Sequence, residues 1–341
     1  MSDKEKTELP NEEEINFVEN DSFHNTLKKT RRRQLLKYSI IGVITTAVVL
    51  FLLYLGGSFM LQSRINDYDS DFYDRIKGAN IENNGTSYFY PAFSAVAYTS
   101  YIKMIGDRPL VWETKVKEYP MFGPSTLTST GGGTGVFSEE EDRTIMYNNE
   151  NGERVMDFYH PQVNYKILPN NLELVDEIRN TNTLAEFALS FDKSYKLDEI
   201  NELIGLENVN WLWVDSYSDE DLKELEEDFK VIGHEITHSG DSVYGINVST
   251  ANLIKEIPAE ELITQRGEEF VSHVTNLKDS GDYKLPAKEL FDVLKGEDNN
   301  LTIEDLHIIG VVVTGDADEL SRFQNLDFVR ASTLGATTPK Y

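Results

Sequence analysis

From Tyr38 to Leu61 the chain has no charged residue, and its densest part reads Ala47-Val-Val-Leu-Phe-Leu-Leu-Tyr-Leu55. As a helix rising 1.5 Å per residue this stretch reaches about 36 Å, against a hydrocarbon layer of roughly 30 Å. A soluble core helix would present a continuous polar face, recurring every three or four positions. None appears here, so lipid is the surround its side chains call for. A cleaved signal peptide would carry a shorter apolar region, nearer the start, ending in a small-x-small site. The stretch is therefore expected to be an uncleaved anchor, a transmembrane helix over 38–61.

Its flanks give a direction. Lys28, Lys29, Arg31, Arg32, Arg33 and Lys37 precede it with no acid among them, whereas Arg64 is followed by Asp67, Asp69 and Asp71. The positive-inside bias puts residues 1–37 in the cytoplasm and the bulk of the chain outside the cell membrane. The formal charge of −27 lies wholly in residues 62–341, since the tail is balanced. Such a surface repels phosphate backbones, which argues against direct nucleic-acid binding. The same surplus of carboxylates makes any Asp or Glu pair weak grounds for catalysis. The chain has no cysteine, which excludes disulfides and thiolate metal sites.

In the tail, Ile15/Val18 and Phe23/Leu27 have helical spacing, enough for a short helix that folds onto a partner. Beyond the span, Ile65, Tyr68, Phe72 and Ile76 suggest an amphipathic stalk continuing the helix. Ala95–Met104 and Leu110–Tyr119 read as strands, and Thr144–Tyr147 and Arg154–Tyr159 flank a hairpin turn at Asn151-Gly152. Ser125–Gly135 reads as a flexible glycine-rich loop that lacks the Lys-Ser/Thr of a phosphate cradle.

Past residue 180 the pattern is strand, helix, strand. Leu184–Phe191 alternates, with Phe187, Leu189 and Phe191 on one face. Leu197, Ile200 and Ile204 form a helical stripe. Val209, Trp211 and Trp213 share one side of the next strand, as core residues rather than a ligand groove. Ser218-x-x-Asp221 and Asp316-x-x-Glu319 are helix-capping pairs, and a helix spans 259–278. Ile308–Val313 and Phe328–Thr333 complete a second unit. The expected fold class is a single transmembrane helix plus an α+β extracytoplasmic region. It has a β-rich membrane-proximal domain (62–170) and a C-terminal domain (171–341) with two βαβ units, ferredoxin-like in outline. Parallel strands joined by right-handed crossovers would follow.

Ala185–Tyr195, Asn210–Tyr217, Ile309–Gly315 and Val329–Ala336, in this order and spacing over 180–336, resemble the sigma-factor regulator family of Gram-positive bacteria. The resemblance implies a membrane-bound anti-sigma factor restraining an extracytoplasmic-function sigma factor and sensing envelope state through its outer domain. It implies no enzyme activity and no cofactor. A zinc-binding anti-sigma domain needs His and Cys ligands, and the short tail has no cysteine, so a helper membrane protein joins the sigma factor among the expected partners.

Two other readings compete. His234-Glu235-Ile236-Thr237-His238 matches H-E-x-x-H, in which two histidines one helical turn apart hold zinc and the glutamate activates water. Ser239-Gly240-Asp241-Ser242 breaks that helix at once, and no single residue among Glu256, Glu260 and Glu261 stands out as third ligand. The bland alternative is a surface loop with exposed histidines. No catalytic or metal-binding residue is therefore assigned. A ligand-binding surface domain is the third reading.

Overall fold

The computed structural model describes residues 21–65, 69–91, 93–232, 237–249, 257–279, 281 and 283–340. It divides into two compact units, Met1–Gln62 and Ser63–Tyr341.

Helix α1 (Asp21–Ile65) dominates the first unit. It is the one helix among the described residues long and apolar enough to cross a membrane, with a mean hydropathy of 2.3 over its best window. The basic run Lys28–Lys37 sits inside this helix, so no break in the backbone marks the expected boundary at residue 37. Phe23 and Leu27 lie exposed on it. Ile15 and Val18, the other expected pair, lie outside the described residues.

The second unit begins with helix α2 (Asp69–Ile76), separate from α1, so the expected stalk is not one continuous described helix. Ile76 is buried as its spacing suggested, alongside Tyr73, while Tyr68 and the Phe72 side chain lie outside the described residues. Four strands follow as an antiparallel sheet: β1 (Glu82–Phe89), β2 (Ser94–Ile105), β3 (Arg108–Pro120) and β4 (Thr126–Ser129). A second antiparallel sheet holds β5 (Gly133–Ser138), β6 (Arg143–Asn148) and β7 (Arg154–Val155), with β6 and β7 joined by the expected Asn151-Gly152 turn. The flexible loop expected over Ser125–Gly135 is mostly strand. Its threonines pair with β3 as Thr126–Ser129, and Gly133 onward pairs with β6. Alternating β-branched residues beside two open sheet edges find ladder partners there.

Strand β8 (Asp157–Phe158) and helix α3 (Val175–Thr181) lead to β9 (Thr183–Lys196), helix α4 (Ile200–Ile204) and β10 (Val209–Val214). Then come α5 (Asp219–Ile232), β11 (His238–Ser239), β12 (Gly245–Asn247), α6 (Ala259–Leu277) and α7 (Lys284–Leu294). The sequence ends in β13 (His307–Gly315), α8 (Ala317–Leu320) and β14 (Val329–Pro339). Both capping pairs form. Ser218 and Asp221 exchange hydrogen bonds ahead of α5, and the Asp316 carboxylate accepts from Asp318 N and Glu319 N at α8.

The main sheet has the order β12-β10-β13-β9-β14, and every neighbouring pair is antiparallel. Both strand–helix–strand units exist, but no parallel ladder joins their strands. β9 and β10 run the same way with β13 between them, and β13 and β14 run the same way with β9 between them. Each helical crossover leaves a gap one strand wide, which the other unit fills.

One face of this sheet, with Ala185, Phe187, Leu189 and Phe191 from β9, buries against α4, α6, α7 and α8. The opposite face, with Ala188, Trp211, Trp213 and Val312, buries against Met156, Phe158 and Ala79. Val209 does not share a side with the tryptophans, as alternation predicts. A bulge sits between Val209 and Trp211, so Val209 joins the helix-covered face while both tryptophans join the other.

Candidate functional site

The face of the sheet turned away from the helices carries most of the buried polar side chains. From β9 it presents Glu186, which sits in an otherwise apolar run, and opposite stands Lys103 from β2. Both are wholly buried, with Lys103 Nζ 3.0 Å from Glu186 Oε2. Nζ also lies 4.0 Å over the Trp112 ring. Asn80, held with φ at +57° just after α2, donates to Glu186 Oε1 at 2.8 Å and to the Met104 carbonyl at 3.0 Å. Asn210, at the β10 bulge, donates to Asn80 Oδ1 and to the same carbonyl. The Ala336 N–H of β14 donates to Glu186 Oε2. Burial pushes the Glu186 carboxyl above its usual range, with Lys103 and Asn80 opposing it. One charged pair thus ties the segment after α2, the β2–β3 hairpin and three strands of the main sheet into one node. The sequence offered a signal for it, namely a lone acid and a lone base inside two apolar strands.

The second polar cluster surrounds the H-E-x-x-H stretch. His234 and Glu235 lie outside the described residues. His238 begins β11 and pairs with Phe158 of β8, so it sits on a strand rather than a helix. That removes the one-turn spacing zinc ligation needs from this motif. Nor is His238 an exposed loop residue, since it is 8% accessible and its Nε2 has no hydrogen-bond partner among the described residues. Burial, then the nearby His160, pulls its pKa down to about 3, so it is neutral at physiological pH. Tyr217 covers its ring with centroids 4.4 Å apart. His160 Nδ1 accepts from Gln162 N, leaving its Nε2 as donor to Asp215 Oδ1 at 3.2 Å. Thr237 donates to Asp157, which also accepts from Arg143 Nη1 at 2.9 Å.

His238 and Tyr217 line an open cavity of about 420 Å³ together with Tyr244 and Leu290, with Asp221, Glu224 and Glu289 on its walls. Its described lining carries three carboxylates and no lysine or arginine, so an anion would be repelled from it. No group of three metal-ligating side chains gathers among the described residues. Glu260 and Glu261 open α6 instead, and Glu256 lies outside the described residues.

By class, then, the molecule is one helix of membrane-spanning length joined to a compact, largely antiparallel α+β unit with a buried ionic node. Residues 177–336 match the family model described as sigma factor regulator C-terminal, over the same stretch that carries the resemblance in the sequence. The chain thus carries a sigma factor regulator C-terminal domain over these residues. No curated protein and no solved structure matches it.

Proposed function

We propose that the chain is a membrane-anchored anti-sigma factor, with residues 1–37 cytoplasmic, 38–61 spanning the bilayer and 62–341 outside. The observation that carries this reading is a sigma factor regulator domain at 177–336 on the same chain as an apolar helix preceded by a run of six bases without an acid and followed by Arg64 and three aspartates. Along α1, Leu50, Phe51, Leu52 and Leu53 are all exposed around the helix. Leaving each in water forgoes about 1.5–3 kcal/mol, which lipid contact would recover. A sigma factor held at the bilayer by the tail, with or without a helper membrane protein, is withheld from RNA polymerase.

The outer region senses the envelope state. Its strand order, with each βαβ unit split by a strand of the other, supports a ferredoxin-like arrangement in the C-terminal domain (171–341). The membrane-proximal domain (62–170) is bound to it by the Lys103–Glu186 node. Sensing of this kind needs an element with two packings, and the node is the candidate for it. The test is co-purification of sigma factors with the intact protein and with one lacking residues 1–27. Recovery by the intact protein alone is expected, and equal recovery from both defeats the reading. A reporter fused at the C-terminus should be active only outside the cytosol.

The cavity beside His238 favours a second reading, in which the outer domain takes a small ligand. Its acidic walls and apolar Leu290 suit a cation attached to an apolar body.

A further inference from the structure

At one end of the four-stranded sheet two turns lie side by side. One joins β1 to β2 and the other joins β3 to β4, as fixed by the pairings Phe89↔Val96 and Ser94↔Pro120 and by Met121 N donating to the Phe93 carbonyl at 2.8 Å. The stretches 88–93 and 120–124 contain no charged residue, in a chain of net charge −27. Five aromatic side chains stand exposed on them: Tyr88, Phe89, Tyr90, Phe93 at 70% and Phe122 at 73%. Leaving this much aromatic surface in water is costly, and so large an apolar patch marks a binding surface.

Arg64 identifies what covers it. Its guanidinium donates to the Pro120 carbonyl at 2.7 Å and to the Gly123 carbonyl at 2.6 Å, clamping the second turn. Arg64 is also three residues beyond Leu61, where the apolar stretch ends. A fully extended chain covers at most about 3.6 Å per residue, so Arg64 stays within about 11 Å of Leu61 in any arrangement. If the apolar stretch occupies hydrocarbon, connectivity alone brings these turns to the lipid headgroups. Phenylalanine and tyrosine rings with a neighbouring arginine are the side chains that settle in that layer.

We propose that the aromatic tip formed by Tyr88, Phe89, Tyr90, Phe93 and Phe122 docks in the interfacial layer of the bilayer that holds α1, giving the outer unit a second membrane contact. The proposal rests on the spanning assignment above. A second copy of the chain is the competing occupant. The bilayer is favoured because Arg64 ties the tip to the end of the apolar stretch, whereas two units carrying a charge of −27 each would repel.

The test uses the full chain reconstituted in phosphatidylcholine/phosphatidylglycerol vesicles, with single tryptophans introduced as Phe93→Trp, Phe122→Trp and, as control, Asp107→Trp. Asp107 lies at the opposite end of the β2–β3 hairpin, roughly 40 Å away at about 3.3 Å per residue. The three native tryptophans are buried and give a constant background. Lipids with a spin label high on the acyl chain should quench emission at the two tip positions several-fold more than at the control. Equal quenching at all three positions overturns the proposal. So does tip quenching that appears only when the protein is diluted to one copy per vesicle, since a second copy would then be covering the tip at higher density. A C-terminal reporter found in the cytosol would instead defeat the topology itself.

Discussion

Replacing Lys103 by methionine keeps the length and most of the volume of the side chain but deletes the charge facing Glu186. Among the described residues the carboxylate would then retain Asn80 Nδ2 at 2.8 Å and Ala336 N at 3.3 Å as partners, and it is fully buried. Removing one member of a buried ion pair typically costs about 3–5 kcal/mol, because the remaining charge is left without compensation. That is a large share of a usual domain stability of about 5–15 kcal/mol. Glu186 can limit the loss by taking up a proton. Its folded pKa is already raised by burial, so the folded state binds more protons than the unfolded state between the two pKa values. In the variant this raise is larger, and the cost of Lys103→Met therefore shrinks as pH falls from 7.5 to 5. The double variant Lys103→Met/Glu186→Gln keeps an acceptor for Asn80 without the charge and should recover most of the stability. Urea unfolding of the full-length protein in lipid nanodiscs, followed by tryptophan emission, measures all three. The protein's three tryptophans, Trp112, Trp211 and Trp213, are all buried in the second unit. A single variant that costs under about 1 kcal/mol at pH 7.5 with no pH dependence would refute the reasoning, as would a double variant no better than the single.

Other outcomes are equally specific. His238 titrates near 3 in the fold and near 6.5 when unfolded, so the unfolded state binds the extra proton between those values and stability falls as pH drops through that window. The slope is at most about 1.4 kcal/mol per pH unit. Wild type should lose roughly 2 kcal/mol more than His238→Phe between pH 6.5 and 4.5, and parallel urea midpoints would contradict this. Gly245→Ala places a Cβ 2.2 Å from the Leu212 carbonyl and 2.2 Å from the Trp211 ring, so it should cost at least about 2–3 kcal/mol and alter Trp211 emission. Asp316→Ala removes the carboxylate that caps α8 and should lower the unfolding free energy by about 1 kcal/mol, while Asp316→Asn keeps most of it.

What was readable in advance was local. The capping pairs at Ser218/Asp221 and Asp316/Glu319 are contacts three residues apart, and the alternation of β9 is decided by its own side chains. Helix α6 follows from one stripe, Ile263, Phe270, Val274 and Leu277. The misses all depend on partners distant in sequence. Thr126–Ser129 looked like loop because its neighbour in β3 supplies the ladder. The Val209/Trp211 bulge coincides with Asn210, whose side chain meets Asn80 and the Met104 carbonyl. His238 gave a motif of the right letters, yet pairing with Phe158 made it strand. Neither Lys103 nor Glu186 announces the other, since only the folded sheet brings β2 against β9.

The order of strands in the main sheet also sets a timetable. β9 needs β13 on one flank and β14 on the other, so it stays half-paired until residues 329–339 have been synthesised. At roughly 5–20 residues per second, many seconds separate the emergence of α1 from closure of the sheet. In that interval β9 and β13 expose apolar edges, and a chaperone or the translocation machinery has time to hold them. Under the proposed function, capture of a partner by the tail would therefore precede responsiveness of the outer unit rather than arrive with it.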